Sequence, residues 1–411
     1  MLTKKNIITL FLTVFFSLVI AFLIYKKIIY PTLTPMVKNG VVHLFADWSV
    51  VLRANFCFQN GLDVFIENPC DPWNRAHVYG EILLYLPFLK NLSKFYLFYF
   101  PIIMGFLFIF ITISFFNYNR SIKNFTLVFF ILSAPFITVI ERANIDILIF
   151  LIIFLISKNK NLFLNHFLIL LGVLAKFYPI CFGVLFLFKK NIKKILFNVI
   201  ILSLLVSIFI FLQSENLIKI FNNQVQFVGG SIYAFSIKSL INTINNFNMI
   251  NNFNWIKYFF ITIFLFFPFI LIWYFFAKSQ ENKQYFSEIF MEDVYENRLY
   301  IISSVTIISC YLIFQNIFYR EIFFLGLLPW ILKNENKQNN IKDFYFYFIL
   351  FKFFVSTILI YLALARDSLF SNFKPLMILL KHSIDFYLVT IVFFIFFLSF
   401  FNFLKKNLIL K

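Results

Sequence analysis

Apolar runs recur along the chain from its first residues to its last ten, and short polar stretches separate them. Many runs approach the ~20 residues that a helix needs to cross the hydrocarbon core of a bilayer. Their continuous apolar character favours helices over half-buried strands. The pattern predicts an all-α polytopic membrane protein with about 12 spans, within a range of roughly 10 to 13. The predicted spans lie near residues 7–29, 95–116, 125–140, 145–157, 162–175, 179–188, 195–212, 255–277, 299–315, 322–332, 344–364 and 384–404.

The apolar runs between residues 125 and 188 are shorter than the others. Some have barely half the length that a single crossing requires. Broken helices of this kind are tolerated in membranes where protein or a water-filled cavity lies beside them. We therefore expect protein or a water-filled cavity beside this region.

Composition supports the membrane assignment. The chain of 411 residues is 62% hydrophobic and 13% charged, which is far outside the range of soluble domains. No segment is long enough to form a separate soluble domain of ordinary size. The sequence therefore predicts one transmembrane domain over 1–411, with two long outer loops near 30–94 and 213–254.

The formal net charge of +18 follows from the predicted topology. Membrane proteins collect Lys and Arg in their short cytoplasmic loops, so a nucleic-acid partner is not needed to explain the charge. With a cytoplasmic N-terminus, alternate loops carry the basic residues. This predicts a membrane protein with both termini in the cytoplasm and the two long loops on the outer side. The cytoplasmic loops then hold Lys4, Lys5, Arg120, Lys123, Lys158, Lys160, Lys189, Lys190, Lys193, Lys194, Lys278, Lys283, Lys333, Lys337, Lys342, Lys405 and Lys406.

The first outer loop contains a helical pattern and two cysteines. Apolar residues recur at helical spacing over 44–58, which predicts an amphipathic helix at the membrane interface. Cys57 and Cys70 lie in the same loop. An oxidising compartment permits a disulfide between them, whereas the alternative is two unpaired thiols beside an apolar surface.

Asp47 is the candidate general base of this loop. A carboxylate just outside the first span can reach a substrate at the membrane surface, and a partly desolvated carboxylate can take a proton from a hydroxyl. The alternative is an N-cap aspartate for the helix that follows. The other carboxylates of the loop, Asp63, Glu67, Asp71 and Glu81, fit solvated or capping roles.

Two polar motifs interrupt the apolar runs farther along the chain, and the topology places both at the outer face. Charge at the edge of a bilayer is costly and commonly functional. The first motif is Glu141-Arg142-Ala143-Asn144-Ile145-Asp146, and the second is Lys176-Phe177-Tyr178-Pro179.

Arg142, Lys176 and Arg320 reach the same predicted depth from different helices. A guanidinium beside a helix N-terminus is a binding site for phosphate, so the three cations are candidate phosphate ligands. Each also has a structural alternative. Arg142 could pair with Asp146 along one helix, Lys176 could extend to the interface, and Arg320 could pair with Glu321 or Glu141.

The sequence shows no metal or nucleotide motif. The histidines, His43, His77, His166 and His382, lack metal-ligand spacing, and the cysteines form no CxxC pair. There is no Gly-rich phosphate loop. We therefore expect no metal and no cofactor.

These features together resemble glycosyltransferase family 87 of the GT-C superfamily. The resemblance covers roughly residues 40–330 and rests on short motifs. It is carried by Asp47 after the first span, the Gly61-Leu62-Asp63-Val64-Phe65 turn, Tyr79 and Pro87 before the second span, the Glu141–Asp146 motif, the Lys176–Pro179 motif, and Tyr319-Arg320-Glu321-Ile322-Phe323-Phe324 ending in Pro329.

The resemblance implies a GT-C-like fold and an inverting transfer of a sugar from a polyprenyl-phosphate donor. The sugar would be a hexose, with mannose as one candidate, and the acceptor a hydroxyl of a glycan or glycolipid at the periplasmic face. Asp47 would be the base, and Arg142, Lys176 and Arg320 would bind the donor phosphate. Glu141, Asn144, Asp146, Tyr178, Tyr79 and Glu321 would bind substrate or support the site.

Two other classes fit parts of the sequence. An O-antigen-type polymerase also has about twelve spans and large outer loops, but it should carry arginines in more than one long loop. A transporter or flippase should place ionisable residues deep in the membrane. Only Lys352 lies deep within a predicted span.

Overall fold

The computed structural model describes helices that account for most of the chain. Helical residues make up about 81% of the residues that the structure describes, and among these five helices are long and apolar enough to cross a membrane. They are Lys5–Ile24, Phe95–Ser114, Lys193–Leu212, Lys342–Leu362 and Leu376–Leu404. The all-α membrane class is therefore confirmed, and the count of about twelve spans stays a prediction. The structure describes residues 4–25, 37–38, 41–42, 44–86, 93–115, 121–189, 192–223, 231–245, 266, 289–313, 316–333, 340–364 and 368–405.

The chain divides into two compact units. The first comprises Met1–Gly183 and Asn198–Val225, and the second comprises Val184–Phe197 and Gln226–Lys411.

The first unit contains helices on both sides of the long loop. A short hairpin of β1 (Val37–Lys38) and β2 (Val41–Val42) precedes α2 (Ala46–Gln59). The other helical elements up to residue 175 are α1 (Lys4–Tyr25), a 3-10 turn (Glu81–Leu84), a π turn (Phe95–Tyr99) leading into α3 (Phe100–Ser114), α4 (Ser121–Ile131), α5 (Ala134–Arg142), α6 (Asp146–Lys158) and α7 (Leu162–Ala175). A 3-10 element (Tyr178–Lys189) and α8 (Ile192–Leu212) belong partly to each unit, and α9 (Ser214–Asn222) belongs to the first.

The second unit is built around long C-terminal helices. Strands β3 (Ala234–Phe235) and β4 (Asn316–Ile317) pair antiparallel, with Ala234 opposite Ile317. The helices are α10 (Ile237–Asn245), α11 (Tyr295–Ile313), a 3-10 element (Phe318–Leu327), α12 (Leu328–Leu332), α13 (Asn340–Leu364) and α14 (Ser368–Leu404).

The predicted span 125–140 is wrong as a single helix, because the structure breaks it into α4 and α5. Ser133 is the N-cap of α5, and Pro135 stands in its first turn, where its missing N–H costs nothing. The last span also differs, since its helix starts well before the predicted residue 384. The predicted span 255–277 lies outside the described residues apart from position 266.

The helix predicted over 44–58 is present as α2, and protein covers most of it, while its predicted place at the membrane interface stays a prediction. Most of its residues are buried. It packs against α5, the 3-10 turn Glu81–Leu84 and the π turn Phe95–Tyr99. Burial on several sides fixes the orientation of its first turn, which carries Asp47.

Candidate functional site

The start of α2 places Asp47 inside the first unit. Phe45 precedes the helix in a left-handed conformation, with φ of 57°, and its backbone N–H donates to the Glu141 carbonyl at 2.9 Å. Asp47 is in the first turn and not at the N-cap, which is Phe45. The N-cap interpretation of Asp47 is therefore wrong, since its carboxylate accepts hydrogen bonds from other segments.

Arg142 binds Asp47 through two parallel hydrogen bonds. Its Nε donates to Asp47 Oδ2 at 3.0 Å, and its Nη2 donates to Oδ1 at 2.7 Å. Asn144 Nδ2 donates to the same Oδ2 at 2.7 Å. Burial alone would raise the pKa of Asp47, but the charge and hydrogen bonds of Arg142 and the amide of Asn144 outweigh it and lower the pKa. Asp47 is therefore a buried, ionised carboxylate.

A second arginine, which the sequence analysis did not predict, approaches the same carboxylate. Arg75 Nη1 lies 3.7 Å from Asp47 Oδ1. Arg75 also forms a fork with Asp71, donating from Nε at 2.9 Å and from Nη2 at 2.8 Å. Asp71 is thus a partner of Arg75 and not a solvated loop residue, and its side chain is fully buried.

Asn144 connects Asp47 to a second ion pair. Lys176 Nζ donates to Asn144 Oδ1 at 3.1 Å and to Asp146 Oδ1 at 2.5 Å. The Tyr178 hydroxyl donates to the same Asp146 oxygen at 2.7 Å. The two sequence motifs therefore meet in one hydrogen-bonded group. We call Asp47, Arg75, Arg142, Asn144, Asp146 and Lys176 the Asp47 cluster.

A left-handed residue between α5 and α6 makes this geometry feasible. Ala143 has φ of 45° and ends α5, and its side chain is fully buried. The reversal lets Arg142 and Asn144 reach the same carboxylate from opposite sides of the turn. A non-glycine residue in this conformation costs roughly 1–2 kcal/mol, and such strain is concentrated at functional sites.

Close packing at Gly80 holds Lys176 in place. The Gly80 N–H donates to the Ala175 carbonyl at 3.0 Å, and a Cβ at Gly80 would lie 1.6 Å from the Leu174 carbonyl oxygen. Only glycine allows this approach. The neighbouring Tyr79 ring then lies under Lys176 Nζ, 5.3 Å from the ring centroid. Burial, together with the negative charges of Asp47 and Asp146, raises the pKa of the Tyr79 hydroxyl.

Glu141 is also buried in this region, and its two carboxyl oxygens have no hydrogen-bond partner among the described residues. Burial raises its pKa to about 8, in spite of the opposing charge of Arg142, and the charge of Asp47 adds to the rise. At neutral pH the Glu141 carboxyl is therefore mostly protonated. This differs from Asp47, whose neighbours hold it ionised.

A disulfide joins Cys57 to Cys70, which is the bonded alternative of the two left open by the sequence. It ties the end of α2 to the turn that carries Asp71. Arg53 donates to the Cys70 carbonyl at 3.0 Å and strengthens the same connection. The loop that supplies Asp47 is thus cross-linked close to the Arg75 fork.

The Asp47 cluster and Asp71 together carry three cations and three carboxylates, so each cation has a carboxylate partner. Arg142, at the end of α5, pairs with Asp47, whereas Asp146 begins a different helix, α6. Lys176 is buried against Asp146 and does not extend to an interface. The alternatives considered for these two cations are therefore wrong. The paired groups are Asp47 with Arg142, Asp71 with Arg75, and Asp146 with Lys176.

Arg320 and Glu321 belong to the second unit, so their grouping with Arg142 and Lys176 stays a prediction. Arg320 Nη1 donates to Asn316 Oδ1 and lies 4.0 Å from Cys310 Sγ. Glu321 is fully buried, and its ion pairs are with Lys352 Nζ at 2.7 Å and Lys381 Nζ at 3.3 Å.

Glu321 is part of a buried group of ions that the sequence analysis did not predict. Lys381 Nζ contacts Asp385 Oδ2 at 2.8 Å, and Lys352 also pairs with Asp385. Lys381 further donates to the Ala234 carbonyl at 2.8 Å. The expectation that Lys352 alone lies deep in a span is therefore wrong, since the candidate span Leu376–Leu404 of α14 carries the buried charges of Lys381 and Asp385. We call Glu321, Lys352, Lys381, His382 and Asp385 the Lys352 cluster.

No protein-family model, curated protein or solved structure matches the chain.

Proposed function

We propose that the protein is an inverting glycosyltransferase that moves a sugar from a polyprenyl-phosphate donor to a hydroxyl of a glycan or glycolipid. The Asp47 cluster would be its active site, at the periplasmic face of a bacterial plasma membrane. One observation carries the proposal. Asp47 from the first loop joins Arg142, Asn144 and Lys176 from two other segments in one buried, hydrogen-bonded group.

The cluster supplies the group types that this transfer needs. The acceptor oxygen forms a bond to the anomeric carbon as the bond from that carbon to the phosphate oxygen breaks. The hydroxyl proton goes to a carboxylate, and the polyprenyl phosphate leaves as an anion. Asp47 is the carboxylate, and Arg142 and Lys176 are cations that can stabilise the growing phosphate charge. Orienting both substrates supplies much of the remaining acceleration.

The bidentate pair suggests how donor binding would activate the base. In the structure Arg142 and Asn144 occupy both oxygens of Asp47. A donor phosphate competes with Asp47 for the Arg142 guanidinium, because both are anions that bind it as a fork. When Arg142 turns to the phosphate, the proton affinity of Asp47 rises. The base would then be ready only when the donor is bound.

The proposal is tested with isolated membranes and several labelled polyprenyl-phosphate sugars. We expect Asp47→Asn to remain in the membrane and to lose transfer by about 100-fold or more, the size of a general-base effect. Arg142→Ala should weaken donor use, because it removes a phosphate ligand.

Asp63→Asn is the matched control, since Asp63 lies in the same loop but is partly exposed and pairs with Lys219. It should retain transfer. Transfer by Asp47→Asn at the wild-type rate would remove Asp47 from the mechanism. Unchanged donor kinetics in Arg142→Ala would remove its phosphate role.

A transporter or flippase is the second candidate, and the Lys352 cluster favours it. Lys352, Lys381 and Asp385 are buried charges within candidate spans, where ionisable residues commonly mark a translocation path. Lipid translocation in proteoliposomes that stops in Asp385→Asn, but continues in Asp47→Asn, would favour this candidate over sugar transfer.

A further inference from the structure

Helix α5 carries three buried polar atoms that lack hydrogen-bond partners within the described part of the chain. They are Glu141 Oε1, Glu141 Oε2 and Thr138 Oγ1. Thr138 is 1% exposed and Glu141 is 4% exposed. Buried polar atoms are nearly always bonded, and each orphan costs about 1–3 kcal/mol. Three such atoms on one short helix indicate that something else bonds to them.

The three atoms belong to residues on one side of α5. The two residues that carry them, Thr138 and Glu141, are three positions apart, and Arg142 is four positions after Thr138. The side chains of Thr138, Glu141 and Arg142 therefore project from neighbouring positions on the helix surface. Arg142 contacts Asp47 from this side. The charges of Arg142 and Asp47 both act on the Glu141 carboxyl. The orphan atoms therefore adjoin the Asp47 cluster.

The side chains of Thr138 and Glu141 are suited to bind hydroxyl groups and not ions. A threonine hydroxyl donates one hydrogen bond and accepts others, and a protonated carboxyl does the same. The adjoining Asp47–Arg142 pair has no net charge that could offset the cost of burying an ion. A neutral molecule with several hydroxyls can satisfy all three atoms without bringing a charge into a buried place.

We propose that Thr138 and Glu141 form a sugar-binding subsite that accepts hydroxyls of the hexose next to the Asp47–Arg142 pair. The proposal deepens the glycosyltransferase function and rests on it. Arg142 would bind the phosphate of the donor, and Thr138 and Glu141 would form hydrogen bonds with hydroxyls of its sugar ring. These residues would then help to decide which sugar the protein accepts.

Binding of sugar-bearing and sugar-free lipids to the full-length protein in nanodiscs tests the subsite. The probes are undecaprenyl-phosphate mannose, undecaprenyl-phosphate glucose and undecaprenyl phosphate itself. Thr138→Val keeps the shape of the side chain and removes its hydroxyl. We expect it to weaken binding of a sugar-bearing lipid about fivefold, the value of one neutral hydrogen bond. Binding of undecaprenyl phosphate should not change.

Two further variants support the measurement. Thr138→Ser restores the hydroxyl and should restore binding. Thr112→Val is the matched control, because Thr112 is buried in α3 and its hydroxyl already donates to the Phe108 carbonyl at 2.9 Å. It should leave the preference for sugar-bearing lipid unchanged.

The outcomes separate the two proposals. Equal effects of Thr138→Val on all three lipids, or no effect, would overturn the subsite and assign the orphan atoms to water. A selective weakening of sugar-bearing lipid binding by Thr138→Val, in a protein that transfers no sugar, would keep the subsite and overturn the transferase. A wild-type protein that binds undecaprenyl phosphate no less tightly than its sugar-bearing forms would overturn the subsite.

Discussion

The Asp47–Arg142 pair gives a quantitative prediction. We consider Asp47→Asn, Arg142→Gln and the double variant, which form a thermodynamic cycle. Both side chains are mostly buried, with 7% and 11% of their surface exposed. Removing one partner leaves the other charge buried without its fork.

The expected cost follows from this geometry. Breaking a buried ion pair by removing one partner typically costs about 3–5 kcal/mol. Asn keeps one acceptor for Arg142, so the lower end, about 3 kcal/mol, is expected for Asp47→Asn. The double variant contains no unpaired charge at these positions. We therefore expect a coupling energy of about 2 kcal/mol between the two sites.

The assay is reversible unfolding of the purified protein in mixed micelles, with the free energy of unfolding compared among the four forms. The control cycle uses the Asp63–Lys219 pair, whose side chains are 42% and 35% exposed. Exposed pairs contribute less than about 1 kcal/mol. A coupling at Asp47–Arg142 no larger than that of the control would refute the buried, bidentate pair.

Three further predictions concern other parts of the structure. Gly80→Ala should destabilise the protein by about 3 kcal/mol or more, because its Cβ would overlap the Leu174 carbonyl. Gly61→Ala should cost only about 1 kcal/mol, because a Cβ there meets nothing within 4 Å and only the φ of +86° opposes it. Similar unfolding midpoints for the two variants would contradict this prediction. Asp385→Asn leaves two buried lysines facing one carboxylate and should lower the free energy of unfolding by about 3–5 kcal/mol. A loss below about 1 kcal/mol would show that the two lysines do not depend on Asp385. Burial raises the pKa of Glu141 to about 8 in the folded protein, against an ordinary value of 4.5, so the folded state binds the Glu141 proton more tightly than the unfolded state does. The contribution of Glu141 to the free energy of unfolding is therefore complete below about pH 4.5 and falls by at most roughly 1.4 kcal/mol per pH unit up to about pH 8. The unfolding free energy of Glu141→Gln should fall less between about pH 5.5 and about pH 7.5 than that of the wild type, and parallel curves would contradict the assignment.

The sequence predicted that the main site residues lie at one level, but it did not predict which of them form ion pairs. Charge in the Glu141–Asp146 motif and at Lys176 was visible as an interruption of apolar runs, and the topology put both at one level. Which carboxylate each cation would bind depended on contacts across 95 and 30 residues. Local spacing allowed a pair of Arg142 with Asp146 as the alternative to a phosphate role. Tertiary structure replaced this pair, because the left-handed Ala143 turns the two residues toward different partners.

Two other features had weak sequence signals. Arg75 stood in a polar loop with several carboxylates, where a solvated role was the simplest interpretation. Lys381 and Asp385 are four residues apart, a spacing that could have suggested a pair on one helix. Because the predicted last span began at residue 384, Lys381 fell outside it and Asp385 at its edge, whereas the candidate span in the structure begins at Leu376. That Thr138 and Glu141 have polar atoms without hydrogen-bond partners among the described residues follows from the packing around them, which no residue pattern reveals.

The most direct test of the central claim is an experimental structure of the protein with a polyprenyl-phosphate sugar bound. The account predicts the phosphate within hydrogen-bond distance of Arg142 or Lys176, the sugar between Asp47 and the Thr138–Glu141 pair, and a longer Asp47–Arg142 separation than the present 2.7 Å. A donor bound away from these residues, with the Asp47–Arg142 fork still closed, would contradict it.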